Sequence, residues 1–227
     1  MNTLKISKRL EAAASFSRRG ARFADVGTDH AYLPIYLYTT QGSRGVASDI
    51  NVGPTERAQA NVVAFGAKND IEVLRTDGLH GIEKYFPDDI FILGMGGELI
   101  VKIISEAQWL KDEKKRLVLQ PMTHPETVRK YLYDNGFDII DELIIKDDKI
   151  YQIICAEYIG IPDGSLDAFE LLIGRKNLLR KEPILYELLT NTKRVFAERV
   201  AGKQSVGADT SFELYMLEKI NGILEDK

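Results

Sequence analysis

The sequence predicts an α/β protein with a mostly parallel, doubly wound sheet, followed by an α-helical hairpin. Three observations carry this. From about residue 21 to Gly136, short apolar runs alternate with amphipathic segments at helical spacing, the pattern of a parallel sheet with helical crossovers. Two final strand-like segments, 137–146 and 149–159, meet through Asp147-Asp148 and read as a hairpin that adds an antiparallel edge. Beyond GIPDGS (160–165) no strand pattern remains, and two apolar stripes at helical spacing take over. Seven strands are expected in a domain spanning 1–160, with 161–227 as a separate helical domain.

The elements follow in order. SKRLEAAASFSR (7–18) reads as a helix capped by Ser7, with Leu10, Ala14 and Ala13 turned inward. Strand one covers 21–26, a helix about 30–40, and strand two RGVASDI, 44–50. Gly53-Pro54 opens a helix, Pro54 suiting a first turn, with Ala58, Asn61, Val62 and Phe65 at helical spacing. Strand three is IEVLRTD (71–77) and strand four DIFILGM (89–95). GGELIVKIISEA is helical, KRLVLQP (115–121) is strand five, and HPETVRKYLYDNG is a helix closed by Gly136. In the tail, Pro183 starts a two-sided stripe through Ile184, Leu185, Leu188, Leu189, Val195 and Phe196. The stretch from Gly202 to Ser211 breaks it, and Phe212, Tyr215, Met216, Ile220 and Ile223 form a second stripe. This αα-hairpin is either an RNA-gripping arm or a packing and dimerisation element.

Composition narrows the class. With 227 residues, 44% hydrophobic and 28% charged, the chain has the make-up of a soluble globular protein. No apolar run reaches the roughly 20 residues of a membrane span, and the basic N-terminus lacks a signal peptide's apolar core. A lone cysteine, Cys155, forms no internal disulfide and reads as a small buried hydrophobe in a cytoplasmic protein. Three histidines and one cysteine show no metal-ligand spacing, so no metal is expected. Net charge is −4, yet cations cluster before residue 23 (Lys8 and Arg9 among them) and over 175–203. These basic ends read equally as solvated helix faces or as contacts to a polyanion.

The chemistry gathers at strand ends. In FADVGTDHAYLP (23–34), an apolar run breaks at Gly27 and a helix follows, the place where such folds bind nucleotide-like ligands. Asp25 and Asp29 flank the glycine, which tells against a phosphate and for a cationic or amine-bearing ligand. Strand two ends in Asp49-Ile50, about 20 residues on, where a carboxylate can hold a ribose diol. Strand three ends in Asp77-Gly78, placed to accept from an adenine amino group, and strand four in Gly94-Met95-Gly96-Gly97.

The order DVG…SDI…TDG…GMGG resembles the Rossmann-like class I S-adenosylmethionine-dependent methyltransferases. The details KISKRL, ADVGTDHAYLP, GMGG and LQP are similar to the bacterial tRNA (adenine-22-N1)-methyltransferase family, over the whole chain and most strongly within 4–124. The resemblance implies S-adenosyl-L-methionine as cofactor and tRNA as partner. Asp25 and Gly27 would shape the methionine end of the pocket, Asp49 the ribose site, Asp77 and Gly78 the adenine site, and Gly94-Met95-Gly96 the floor below the sulfonium. This chain departs from the generic methyltransferase pattern in carrying Asp29 and Ala31 where glycines are usual. It also lacks the Asn/Asp-Pro-Pro-aromatic motif of enzymes acting on exocyclic amines.

Direct methyl transfer to a ring nitrogen needs no base to create the nucleophile, but the product ring is cationic. Asp29 is the first candidate to stabilise that charge or take a proton from the amino group, and His30 the second. Asp29 reads equally as a helix cap, and His30 equally as a pocket wall. Lys8, Arg9, Gln120, Pro121 and His124 are the candidate substrate contacts, Gln120 reading equally as a strand-end amide serving a loop. Tyr32 and Met95 are candidate stacking surfaces for an extruded base, while His80 and Trp109 acquire no role. The other readings are a methyltransferase of a small molecule or protein, and a binding module without activity. Oligomeric state is expected to be monomer or weak homodimer.

Overall fold

The computed structural model describes residues 4–162 and 164–225 and divides into two compact units, Met1–Ser165 and Leu166–Lys227. The first contains α1 (Lys8–Ala14), β1 (Phe23–Val26), α2 (Tyr32–Gln41), β2 (Gly45–Asp49), α3 (Val52–Ala64) and β3 (Ile71–Arg75). It continues through β4 (Asp89–Gly96), α4 (Gly97–Glu106), β5 (Arg116–Thr123), α5 (Pro125–Asp134), β6 (Phe137–Lys146) and β7 (Ile150–Tyr158). Single 3-10 turns at Glu83–Tyr85 and Gln108–Leu110 interrupt the connections around β4 and α4.

All seven strands form one sheet in the order β3-β2-β1-β4-β5-β7-β6. β1 to β5 run parallel, and β7 lies antiparallel between β5 and β6. The order reverses between β1 and β4, so the crevice outside the carboxyl end of β1 is the fold's switch point. β1 is buried along its whole length because β2 and β4 flank it and helices cover its faces, which is why it reads as an unbroken apolar run. Leu33, Ile35 and Leu37 of α2 bury against a core containing Phe23, Phe91 and Val118. Each such side chain contributes about 1.5–3 kcal/mol.

Two buried polar clusters tie other segments to the sheet. Arg129 of α5 is fully buried, its Nε 2.6 Å from Glu142 Oε1 in β6 and its Nη2 2.7 Å from Gln152 Oε1 in β7. Removing one partner of such a pair costs about 3–5 kcal/mol, because the other charge is left buried. Asp89, at the start of β4, is also fully buried and accepts from the Arg18 backbone N–H and Nε, both at 2.7 Å. That tertiary bond captures the Arg18 amide, and α1 ends at Ala14 rather than near Arg18 as its sequence led one to expect. Cys155 is buried in β7, and burial pushes its thiol up to about 12.

The second unit holds α6 (Ala168–Ile173), α7 (Arg175–Arg180), α8 (Pro183–Ser205) and α9 (Ser211–Glu225). The expected break at Gly202 does not occur there. α8 runs through it to Ser205, and the chain turns over 206–210. Leu185, Leu189 and Phe196 of α8 and Met216 and Ile220 of α9 are buried, and Lys203 Nζ lies 2.8 Å from Glu213 Oε1 beside the glycine. That packing outweighs the roughly 1 kcal/mol helix cost of a glycine. α6 and α7 were not anticipated. A signal existed, since Asp167 and Glu170 form a full capping box at the start of α6.

Candidate functional site

The turn after β1 is built by its neighbours. The N–H groups of Gly27 and Thr28 both donate to the Ser48 carbonyl of β2 at 2.8 Å. Gly27 has φ 82, a backbone conformation that favours glycine, and the flexible end of the Met95 side chain packs where a Cβ would lie. Thr28, buried beneath the turn, accepts the Ala31 N–H at its hydroxyl, 3.1 Å away. Ala31 holds a left-handed φ of 54, a conformation costing an L-residue about 1–2 kcal/mol. Thr28 on one side and Asn61 of α3 on the other, its Nδ2 2.9 Å from the His30 carbonyl, keep the loop in that shape.

A cavity of about 260 Å³ opens above this turn, lined among others by Arg9, Asp25, Gly27, Asp29, His30 and Tyr32. Asp25 is 7% exposed. Burial raises its carboxyl from 3.8 to about 6; the Thr28 hydrogen bond and the Arg9 charge pull it down, and Asp49 pushes it up. Asp29 does not cap α2, whose first turn receives no side-chain cap. Its carboxylate instead pairs with Arg57 of α3, whose Nε is 3.1 Å from Oδ1, and with His30, whose Nε2 is 3.2 Å from Oδ2. The His30 ring stacks on Tyr32, centroids 4.9 Å apart and planes 9° from parallel.

The other strand-end acids lie along the same edge but outside this cavity's lining. Asp49 Oδ1 accepts from the Asn51 N–H at 2.7 Å and from Asn51 Nδ2 at 3.1 Å. Ile50 is half exposed. Asp77 is exposed just past β3, and Gly78 has φ 53 with Ile103 of α4 against it.

β4 ends in Gly94 (φ 76), Met95 and Gly96, where its register with β5 shifts, Met95 pairing with Pro121. Gly97 is needed for packing, because a Cβ there would strike the His124 carbonyl and come within 2.8 Å of that of Thr123. Gln120 is fully buried, its Oε1 accepting from Arg9 Nη1 at 2.7 Å and from the Gly94 N–H at 3.1 Å.

The structure thus brings Arg9, Asp25, Gly27, Asp29 and His30 to one cavity and treats the expected substrate contacts differently. Arg9 lines the cavity beside Asp25. Gln120 and Pro121 are buried, so neither presents a free surface to a base. Lys8 is exposed, and His124 is exposed with Nδ1 3.1 Å from Glu126 Oε1. Sequence reading missed Thr28 and Arg57. Thr28 was legible as a hydroxyl directly after the glycine turn, placed to accept a loop N–H, whereas nothing local marks Arg57. His80 and Trp109 line a separate cavity of about 130 Å³. Among the described residues no cluster of His, Cys, Asp or Glu is arranged to hold a metal, and no helix is long and apolar enough to cross a membrane.

Known proteins resemble this chain in sequence and in fold. Residues 6–154 match a methyltransferase domain family. The chain is 40% identical over 176 residues to the tRNA (adenine(22)-N(1))-methyltransferase of Bacillus subtilis, covering 77% of this chain and 74% of that protein. The crystal structure of a B. subtilis m1A22 tRNA methyltransferase superposes with TM-score 0.82 at 33% identity, covering 98% of this chain and 97% of that one. A Streptococcus pneumoniae protein described as a putative tRNA (m1A22) methyltransferase, solved with S-adenosyl-L-methionine, gives TM-score 0.86 at 32% identity, covering 97% and 100%.

Proposed function

The chain belongs to the tRNA (adenine(22)-N(1))-methyltransferase family, and from that premise we propose how its site performs the reaction. The protein is an S-adenosyl-L-methionine-dependent enzyme that methylates N1 of adenine 22 in tRNA. The observation that carries the reading is the placement of Asp25, Asp49 and Asp77 at three consecutive strand ends beside the switch point.

The residues present fit the cofactor. The cavity offers one buried carboxylate, Asp25, and one guanidinium, Arg9, which match the ammonium and carboxylate of an amino-acid end. The Asp49 carboxylate keeps its Oδ2 free of protein partners among the described residues, as a diol-binding acid would. Asp77 stands where an adenine amino group can donate to it, and Ile50 offers exposed apolar surface to the ring. The bound cofactor supplies a methyl group activated on a sulfonium.

The protein's task is to place the adenine in line, since N1 already carries an in-plane lone pair. Asp29, held from two sides by Arg57 and His30, faces the positive charge that develops on the ring or accepts a proton from its amino group. The parallel His30–Tyr32 pair, with Tyr32 42% exposed, provides a surface for an extruded base. Arg9 belongs to the cofactor side in this reading, and Lys8 and His124 remain the contacts toward RNA. In the helical unit, exposed Lys193 and Arg194 contact the tRNA backbone. We read the protein as cytoplasmic and as a monomer or weak homodimer.

Mapping modifications on unmodified tRNA incubated with the protein and cofactor tests this. The expected product is 1-methyladenosine at position 22. Label in another nucleoside, or in free nucleosides and not in tRNA, would overturn it.

A further inference from the structure

Gln120 sits in β5 with no exposed surface, and its whole amide is engaged. Oε1 accepts from Arg9 Nη1 at 2.7 Å and from the Gly94 N–H at 3.1 Å, filling the two lone pairs of a carboxamide oxygen. Nε2 donates to the Pro121 carbonyl at 3.0 Å and lies 3.5 Å from Met122 Sδ. The two groups it accepts from come from opposite parts of the site. One is the cation of the cofactor cavity, carried by α1. The other is the amide of the positive-φ glycine that opens the GMGG turn of β4.

Arg9 has other supports, none of which reaches that turn. Its backbone N–H is 3.4 Å from Asp147 Oδ2 in the β6–β7 turn, and its guanidinium lies over the Tyr151 ring, 5.4 Å from the centroid. Those contacts hold the base and face of the side chain, while Gln120 sets its tip. An apolar residue at 120 would free the guanidinium and leave the Gly94 N–H without its partner.

We propose that Gln120 is a positioning residue: by accepting from Arg9 and Gly94 together, it holds the guanidinium that receives the cofactor's carboxylate in register with the turn beside the transferred methyl. This rests on the assignment of Arg9 to the cofactor carboxylate, and the two statements separate experimentally.

The experiment is calorimetric binding of S-adenosyl-L-methionine and of its decarboxylated analogue to full-length protein. It compares wild type, Gln120→Met, Arg9→Met and the double variant. The readout is the ratio of the two affinities, which a purely structural role for Gln120 would leave unchanged. The wild type should prefer the carboxylated cofactor by ~10–100-fold, the range of a charge-assisted pair. Gln120→Met should reduce that preference at least about fivefold, and Arg9→Met should abolish it. The double variant should be no worse than Arg9→Met alone, because both changes remove one interaction. Should Gln120→Met fail to fold, Gln120→Glu is read in the same assay; its carboxylate competes for the guanidinium, so the preference should again fall. An unchanged ratio in the foldable Gln120 variant, with the preference lost in Arg9→Met, overturns the positioning role and leaves the Arg9 assignment standing. A wild-type ratio in Arg9→Met overturns the Arg9 assignment itself.

Discussion

Along the β2 and β3 ends of the sheet, Asp77 has no side-chain partner among the described residues, and Asp49 engages one oxygen, on Asn51. Across β4 and β5, Gln120 is buried with every polar atom engaged. The difference follows from solvent access. An exposed carboxylate can wait for a ligand because water satisfies it meanwhile, whereas a buried amide without partners costs its desolvation outright. The open side therefore leaves carboxylate oxygens available to a ligand, while the closed side commits its polar atoms to packing. Asp25 stands between them, buried like the second group and facing a cavity like the first.

Substitutions on the two sides separate these roles. The largest effect is expected at Asp29. Asp29→Asn should keep cofactor affinity by calorimetry and lose about 100-fold or more in single-turnover methylation, the usual scale for a proton-transfer or charge-stabilising group. Turnover near wild type would remove Asp29 from the chemistry. Next comes Asp49→Ala, expected to weaken cofactor binding ~10–100-fold while thermal unfolding barely moves, since the carboxylate bonds only to a neighbouring residue. A large fall in melting temperature with affinity intact would reverse the roles given to the two sides.

Asp25 sharpens the middle case through pH. Its carboxyl is raised from 3.8 to about 6 by burial, so between those values the folded protein holds a proton that the unfolded chain has released. The apoprotein should therefore lose stability as pH rises from about 4 to 7, by about 3 kcal/mol relative to Asp25→Asn. Cofactor binding should run the other way. The ammonium needs the anion, so affinity should fall roughly tenfold per pH unit below about 6, and that dependence should vanish in Asp25→Asn. A flat wild-type profile would show that Asp25 does not meet the ammonium. The smallest effect is expected in the helical unit, where Lys193→Gln with Arg194→Gln should weaken tRNA binding a few-fold. The slope of log K against log salt should flatten by about 1–2. An unchanged slope would make α8 a structural element only.

Much of this protein was legible before its structure. The alternation of strands and helices, the final hairpin and the helical tail follow from periodicity, because side chains recur every two residues in a strand and every 3.6 in a helix. Gly27 and Gly78 were legible because a positive φ after a strand leaves a mark on the residue at that position. The acids at consecutive strand ends were legible because strand ends can be counted along the chain. The tertiary structure alone decided the partners. Arg9 and Gln120 lie 111 positions apart and meet because β5 pairs with β4 and α1 crosses beside them. Asp29 meets Arg57 from a helix one crossover later, and Arg18 is drawn off α1 by Asp89 of β4. Those meetings depend on strand order and helix packing, which no local pattern encodes. Sequence therefore located the candidate groups at the strand ends, while packing determined which of them line the cavity and which are held by one another.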